Sequence, residues 1–296
     1  MSSIKSTVSG PGIKGVALYD SHTESPLRMA IVDGVIRVPT SDPRGSKFYQ
    51  NVGEGALSEY SIVYKFGKNE AVGTTLVPVC FGGVYQMPQV ANATTLRIKA
   101  GNANDTAAGT GAREITLIGM DETGAEITVL VATAGASASS NTTEKFLRLD
   151  RAYVSASGTY PTAINIDSQT ATIVIENSAG SADWLTINAK MAQSHVAAYA
   201  IPLGKIGYIN SIISAVDSNK AYDLHLFIRE NILETAVPYS GFRIHAHIVG
   251  LQDPLVWNVK TPLGPFPALT DIVWAAKVGT GTADISVDFE VLLKDA

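Results

Sequence analysis

Short β-type segments follow one another along most of this chain, and no helical periodicity interrupts them. From residue 61 to about 195, runs rich in β-branched and aromatic residues alternate with clusters of Gly, Asn, Ser or Asp. Spacings of roughly 8–20 residues without intervening helices favour an antiparallel sandwich and argue against βαβ units. The predicted strands here are Ile62–Phe66, Thr95–Ile98, Glu114–Ile118, Glu126–Val131, Phe146–Val154, Ile164–Asp167, Thr172–Glu176 and Trp184–Ala189.

The C-terminal hundred or so residues show a clearer strand pattern. Apolar and polar residues alternate in Tyr222–Arg229, Phe242–Ile248 and Ile285–Val291, as in half-buried strands. Strands of this number and length fit a jelly-roll or related sandwich. We therefore predict an all-β fold: an extended N-terminal arm followed by two antiparallel β-sandwich (jelly-roll-like) domains. The predicted boundaries are 1–60 for the arm, 61–195 for the first sandwich and 196–296 for the C-terminal domain.

The first 60 residues are punctuated by Gly and Pro, which makes a helix or a packed core hard to build there. They nevertheless keep more apolar side chains than a solvated linker needs. We predict a docking arm that becomes ordered by lying on a neighbouring subunit; the alternative is a flexible tail. The candidate docking residues are Ile13, Val16, Leu18, Tyr19, Leu27, Ile31 and Ile36.

Composition excludes several classes of protein. Hydrophobic residues make up 46% of the chain and charged residues 17%, so intrinsic disorder over most of the length is excluded. A net charge of −5 argues against a dedicated nucleic-acid binder. We find no signal-peptide pattern and no apolar run of about 18 residues, so we expect cytoplasmic synthesis and no membrane span. The single cysteine, Cys80, lies in an apolar run and is expected to be a buried structural thiol.

The sequence contains little that points to catalysis. Phosphate-loop, dinucleotide-binding, nucleophile-elbow and zinc-protease signatures do not occur in the sequence, and Gly109–Arg113 is better explained as a hairpin turn. Asn102–Asp105 and Asp217–Asn219 fit Asx turns better than calcium loops. Asp284, Asp288 and Glu290 fit a solvated strand better than a glycosidase pair. We therefore expect no enzymatic activity.

The histidines form one constellation of interest. His245 and His247 are two residues apart in a predicted strand, which places both rings on one strand face, and His225 lies on another strand. In a homotrimer with this strand near the threefold axis, His245 and His247 would supply six nitrogens, enough for an octahedral axial metal ion. The alternative is that both rings are ordinary surface groups beside Arg243. Apart from this axial metal ion, no cofactor is predicted.

The aromatic residues also allow two interpretations. Trp184, Trp257, Trp274, Tyr222 and Tyr239 could form a sugar-stacking platform, or they could pack in a core or a subunit interface. Their positions inside apolar strands favour packing. The small-residue stretch 132–143 is predicted to be an exposed loop, and it would face the host in a glycan-binding protein.

A series of weak motifs, taken in order, resembles a pattern found in virion proteins of tailed bacteriophages, including cyanophages and phages of marine bacteria. The similarity covers residues 61–296, and the first 60 residues match no such pattern. The chain has Val79-Cys80 where the family usually has Ile/Val-Trp, a departure that concerns packing. The matching segments are Lys65–Asn69, Val72–Thr75, Gly82–Tyr85, Asn104-Asp105 with Gly109–Arg113, Ile118–Met120, Phe146–Val154 and Ala198–Lys205.

The resemblance implies a non-enzymatic structural protein of the virion. It would act in capsid decoration or cementing, or in fibre attachment, as a homotrimer in contact with major capsid, portal, tail or fibre proteins. Positions on the head, collar, fibre base and baseplate fit these features equally. The alternative function is a host receptor- or glycan-binding fibre or spike protein, and a virion-borne hydrolase ranks third.

Overall fold

The computed structural model describes residues 4–8, 14–18, 30–32, 35–37, 44–164, 168–218 and 220–296. The chain divides into two compact units, Met1–Leu57 and Ser58–Ala296. Among the described residues, nearly all regular structure is β-strand, and the strand pairs are antiparallel. The all-β prediction is confirmed at this level, whereas two jelly-roll sandwich domains are not.

Among its described residues, the first unit contains two antiparallel strand pairs and a helix. Strand β1 (Ile4–Val8) pairs with β2 (Lys14–Leu18), β3 (Ala30–Val32) pairs with β4 (Val35–Arg37), and α1 spans Arg44–Gly53. The expectation that this stretch forms no helix is therefore wrong. A sequence signal was present, because Asp-Pro directly before Arg44 is a favoured helix start.

The predicted arm residues fall partly within this description. Val16 and Leu18 lie in β2, Ile31 lies in β3 and Ile36 lies in β4. The other three, Ile13, Tyr19 and Leu27, lie outside the described residues. The docking role of the arm stays a prediction.

The second unit contains fifteen strands among its described residues. Each strand predicted for 61–195 corresponds to one of them within a few residues, except Ile164–Asp167, of which 165–167 lie outside the described part. The strands are β5 (Tyr60–Val72), β6 (Val77–Pro78), β7 (Leu96–Ala100), β8 (Ala112–Met120), β9 (Glu126–Ala132), β10 (Arg148–Ser157), β11 (Ile173–Asn177), β12 (Asp183–Ile187), β13 (Ala198–Ala200), β14 (Lys205–Val216), β15 (Tyr222–Arg229), β16 (Arg243–Leu251), β17 (Leu255–Phe266), β18 (Asp271–Val278) and β19 (Ala283–Asp295).

Eight of these strands form two sheets, in the orders β5-β19-β14-β17 and β13-β18-β15-β16. Their pairing is nested along the chain. The first of the eight pairs with the last (β5 with β19) and the second with the seventh (β13 with β18). The third pairs with the sixth (β14 with β17), and the two middle strands, β15 and β16, pair with each other.

A continuous apolar core, here called core 1, lies between these two sheets. The Trp274 ring on β18 meets the Phe289 ring on β19 edge-on, with centroids 6.3 Å apart. Ile285, Val287 and Val291 are fully buried, which confirms the alternation predicted for this strand. Large apolar side chains on every second residue thus close the space between the sheets.

The segment between β5 and β13 forms a second apolar core, core 2. Two three-stranded sheets, β10-β8-β9 and β12-β11-β7, supply residues such as Leu117 and Ile98 to it. Strand β5, which precedes this segment, pairs with β19 in the sheet of the C-terminal strands. The domain boundaries predicted near residues 60 and 195 stay predictions.

The stretch 132–143 is not simply an exposed loop. The backbone N–H groups of Leu96 and Ile98 donate to the hydroxyls of Thr142 and Ser139, both at 2.9 Å. In return, the N–H groups of Thr142 and Ser139 donate to the carbonyls of Leu96 and Ile98. The stretch therefore covers the free side of β7, an end strand, and satisfies its backbone.

None of the helices in the described part of the chain has the length and apolar character needed to cross a membrane.

Candidate functional site

Strands β16 and β17 are end strands of the two sheets around core 1. Charged residues that usually protect a sheet edge are scarce there, since Arg243 and Lys260 are the only ones in the two sequences. Ile244, Val249 and Val256 are each more than half exposed. We call these two strands the edge surface. A strand edge with exposed apolar residues and few charges is a template for contact with another chain.

The segment before β16 adds exposed aromatic groups next to the edge surface. Tyr239 and Phe242 are about two-fifths exposed, and the Arg229 guanidinium lies 6.0 Å from the Phe242 ring centroid. The Glu234 carboxylate accepts hydrogen bonds from the Ser240 N–H (2.6 Å) and hydroxyl (2.8 Å). These contacts hold the segment in one conformation, so the aromatic groups are presented by an ordered turn.

The structure corrects the expected arrangement of the histidines. The register between β15 and β16 shifts between Leu226 and Phe227, and His245 is the unpaired residue at this bulge. Its ring packs edge-on against Phe266, a core 1 residue, at 4.9 Å. His247 stacks instead on His225, the residue directly opposite it, with ring centroids 4.2 Å apart. His245 and His247 therefore do not share a strand face, and the trimer-axis metal ion stays a prediction without that support.

The His225 ring lies in an unusual environment. It is 7% exposed, and its Nδ1 atom is buried without a hydrogen-bond partner among the described residues. Burial and the adjacent His247 ring lower the pKa of His225 below its usual value. Burial and the nearby Arg243 lower the pKa of His245 as well. Within the described residues, no three His, Cys, Asp or Glu side chains lie close enough together to hold a metal ion.

The aromatic residues considered for sugar stacking are mostly internal. Trp184 and Trp274 are almost fully buried, and so is Tyr222, whose hydroxyl bonds to Ser214 Oγ at 2.9 Å. Trp257 is half-buried and packs against core 1. These four residues are packing residues, and of the five only Tyr239 presents a large exposed area.

A cleft of about 400 Å³ lies where β5 and β13 approach β8–β10. Lys65 is buried there, and its Nζ donates to the backbone carbonyl of Asp150. Asp150 Oδ1 accepts from the Tyr85 hydroxyl at 3.1 Å and from the Ala200 N–H at 3.3 Å. Tyr199 also lines the cleft, and its hydroxyl is buried without a hydrogen-bond partner in the described part of the chain.

Burial shifts the pKa values of two groups at this cleft. It lowers the pKa of Lys65 to about 8 and raises the pKa of Asp150 to about 6, in each case by disfavouring the charged form. This pair could not be predicted from the sequence, because its two residues are 85 positions apart and neither belongs to a spaced motif. Perturbed groups at a cleft are candidates for a functional role, although structural ion pairs produce the same shifts.

A second buried pair lies beside the cleft. The Arg148 guanidinium donates from Nε to Asp271 Oδ1 at 2.7 Å and from Nη2 to Oδ2 at 2.8 Å, and both side chains are inaccessible to solvent. Arg148 Nη1 also donates to the carbonyls of Leu147 and Pro88. We call the whole buried polar group between the two cores the polar junction; it comprises Lys65, Tyr85, Arg148, Asp150, Tyr199 and Asp271.

The Asx-rich segment before β8 has a structural role. Asp105 is fully buried, and its carboxylate accepts the N–H groups of Ala112 and Thr170 (2.9 Å each) and of Ala171 (3.0 Å). Asn102 Oδ1 accepts the Asn104 N–H at 2.8 Å, as in an Asx turn. Backbone groups therefore occupy the oxygens that a calcium ion would need.

The remaining candidates are structural too. Cys80 is buried, and burial raises the pKa of its thiol to about 12, which makes it a poor nucleophile. Asp288 accepts a hydrogen bond from the Tyr64 hydroxyl at 3.2 Å, and Asp284 lies 3.0 Å from Lys68 Nζ. Asp217 is also engaged, since its Oδ1 accepts a hydrogen bond from the Asp284 N–H.

Comparison with known proteins gives distant matches only. No protein-family model and no curated protein matches the chain. Two solved structures with distant similarity to this chain come from infectious bursal disease virus. The structure of its Gx strain is 11% identical, with 80% of this chain and 75% of that chain covered and a TM-score of 0.18. The VP2 subviral particle is 12% identical, with coverages of 80% and 77% and a TM-score of 0.17.

Scores this low carry no argument about the fold or the partners of this chain, and nothing in the comparisons points to tailed bacteriophages in particular.

Proposed function

We propose that this chain is a non-enzymatic structural protein of a virus particle, which docks on other virion proteins through its N-terminal arm and its β surfaces. The nested pairing of eight strands around core 1 carries the proposal. Nested pairs wrapped into two sheets are the plan of a jelly roll, a fold common in viral capsid and lectin domains. In this proposal, residues 73–197 are an insertion between the first two strands of that jelly roll.

A fold hosts many functions, so the surface must supply the second argument. The edge surface has exposed apolar residues and almost no charge, which supports burial against another subunit. We propose a homotrimer that decorates or cements a tailed-phage capsid, or attaches fibres to it. Light scattering on a sizing column tests the trimer, which has a mass near three times 31.2 kDa.

The arm supplies the docking element in this proposal. The apolar residues of unit 1 would lie along a neighbouring virion protein, and strand pairing would add direction to the contact. The test is co-sedimentation with phage particles assembled without this chain. We expect the full chain to bind and a chain starting at Ser58 to fold but not to bind. Binding by the truncated chain would show that the arm is not the docking element, and no binding by the full chain would contradict the virion role.

Single substitutions test the edge surface separately. Ile244→Lys and Val256→Lys place a charge on exposed positions of β16 and β17, which should weaken subunit contact without loss of folding. Leu130→Lys is the matched control, since Leu130 is 59% exposed on β9, away from the edge surface. Equal effects of all three substitutions on the solution mass would contradict a specific role of the edge surface.

The glycan-binding alternative has less support, because Trp184, Trp274 and Tyr222 are buried in the cores. Binding of the isolated protein on a glycan array would favour that alternative over docking.

A further inference from the structure

We propose that His225 and His247 together form a binding site for a transition-metal ion of the zinc type. The site differs from the predicted His245/His247 pair, and it does not depend on the proposed function. Three observations carry it: the register of β15 and β16, the unpartnered nitrogen of His225, and the exposure of His247.

The strand register brings the two rings together. His225 and His247 are directly opposite each other in the antiparallel ladder, where Cβ atoms are about 4.5–5.5 Å apart. Their rings already stack at 4.2 Å between centroids. Zinc–nitrogen bonds are about 2.0–2.1 Å long, so two of them span up to about 4 Å between the nitrogens. In the proposed site, the exposed His247 ring rotates out of the stack so that one of its nitrogens faces the same ion as His225.

The His225 ring has a nitrogen with no other use. Its Nδ1 atom is buried and makes no hydrogen bond to any residue that the structure describes, so binding an ion there displaces no donor or acceptor of those residues. The ring is also held in place, because it is buried and the Phe227 ring stacks on it with centroids 6.1 Å apart. A fixed ring loses little conformational freedom when it binds a metal ion.

The surroundings determine the type of ion. Two imidazoles suit zinc, copper or nickel, whereas magnesium and calcium prefer oxygen ligands. Asp223 lies on the same strand face as His225, and its carboxylate accepts the Gly250 N–H at 3.0 Å and faces Lys277 Nζ at 3.6 Å. Since Asp223 is already engaged, His225 and His247 supply the two protein ligands. Water completes the coordination on the exposed side of His247.

The bulge at Leu226/Phe227 separates His245 from this pair. His245 packs against Phe266, while His247 packs against His225. His245 is therefore a matched control on the same strand, two residues from His247 and equally a histidine. A metal ion at the His225/His247 pair would join the edge strand β16 to its neighbour β15.

Calorimetric titration of the tag-free full chain with zinc chloride tests the proposal. We expect one zinc ion per chain, a higher melting temperature with zinc, and no effect of magnesium. His247→Gln should weaken zinc binding by at least about tenfold, which corresponds to about 1.4 kcal/mol. His245→Gln should leave binding unchanged.

His225→Gln is not used as a test variant, because His225 is buried and its substitution could lower stability by itself. His247 is exposed, so the His247→Gln variant decides the question alone, with circular dichroism to confirm its fold. The proposal is wrong if the wild-type chain takes up no zinc, if His247→Gln binds zinc as tightly as wild type, or if His245→Gln loses as much affinity as His247→Gln.

Discussion

Core 1 and the polar junction are both buried, but they are stabilised in different ways. Core 1 consists of apolar side chains from two sheets, and its stability is spread over many contacts. The polar junction depends on a few ionic groups with specific geometry, above all the Arg148–Asp271 pair. The first kind of interior tolerates apolar substitutions that conserve volume, whereas the second depends on each partner.

The largest effect is expected where one buried partner is removed. Asp271→Asn leaves the Arg148 guanidinium buried without its counter-ion, and we expect a loss of about 3–5 kcal/mol in the free energy of unfolding. Leu224→Met is the contrasting change in core 1, with an expected cost below about 1.5 kcal/mol. Urea denaturation measures both. Similar losses in the two variants would remove the distinction between the regions.

A double substitution sharpens the same comparison. Arg148→Met with Asp271→Leu replaces the ion pair by apolar groups, and such replacements are often neutral or stabilising. We expect this double variant to be more stable than Asp271→Asn. A double variant less stable than Asp271→Asn would mean that the hydrogen bonds from Arg148 to the carbonyls of Leu147 and Pro88 dominate.

The next largest loss of stability is expected where the backbone of β5 lies very close to two other backbone segments. A Cβ atom at Gly67 would lie 2.1 Å from the Val79 carbonyl oxygen and 2.2 Å from the Ala197 backbone nitrogen. We expect Gly67→Ala to cost about 1–3 kcal/mol in urea denaturation, since backbone must move. Gly53→Ala is the control, because no described residue outside its own helix has an atom within 4 Å of a Cβ at that position. An unchanged midpoint for Gly67→Ala would contradict this tight contact.

The polar junction should also give stability a pH dependence that core 1 lacks. The pKa of Asp150 is raised from 3.8 to about 6, so the folded chain holds the extra proton and stability falls as pH rises between these values. The pKa of Lys65 is lowered from 10.5 to about 8, so stability rises as pH increases between about 8 and 10.5. Tyr85, Tyr199 and Arg151 also face this pair.

Urea denaturation at pH values from 4 to 10 measures these two slopes. The double variant Lys65→Met with Asp150→Asn removes both ionisable groups, and we expect both slopes to decrease in it. Identical pH profiles for this variant and the wild type would assign the dependence to other groups.

The smallest change in the free energy of unfolding is expected for an ion pair outside core 1 and the polar junction. Lys68 Nζ lies 3.0 Å from Asp284 and 3.1 Å from Glu70, but all three side chains are partly exposed. We expect Lys68→Ala to change the free energy of unfolding by about 0.2–1 kcal/mol, with the difference decreasing at high salt. A loss as large as that of Asp271→Asn would show that exposure does not separate the two kinds of pair.

The apolar interior could be predicted from the sequence because alternation is a local property. Ile285, Val287 and Phe289 follow every second position, and all three are buried in core 1 as the pattern indicates. The same logic failed at His245, because one extra residue in β16 shifts the pairing and sends this ring to Phe266. A bulge depends on the partner strand, which the sequence does not identify.

The polar junction could not be predicted for a related reason. Arg148 reads as one polar residue in a strand, and its partner Asp271 is 123 positions further along the chain. Asp105 was considered only as an Asx-turn residue, whereas its carboxylate also accepts N–H groups more than 60 positions away. Long-range pairs of this kind become visible only when the fold brings the strands together.

The nested pairing has a consequence for biosynthesis. Tyr64 on β5 bonds to Asp288 on β19, and the two residues are 224 positions apart. At roughly 5–20 residues per second, the ribosome needs on the order of 10–45 s to make the chain between them. Strand β5 therefore leaves the ribosome long before its partner exists, while the segment that forms core 2 is completed in between. The sheet that contains β5 can close only after β19 has also left the ribosome.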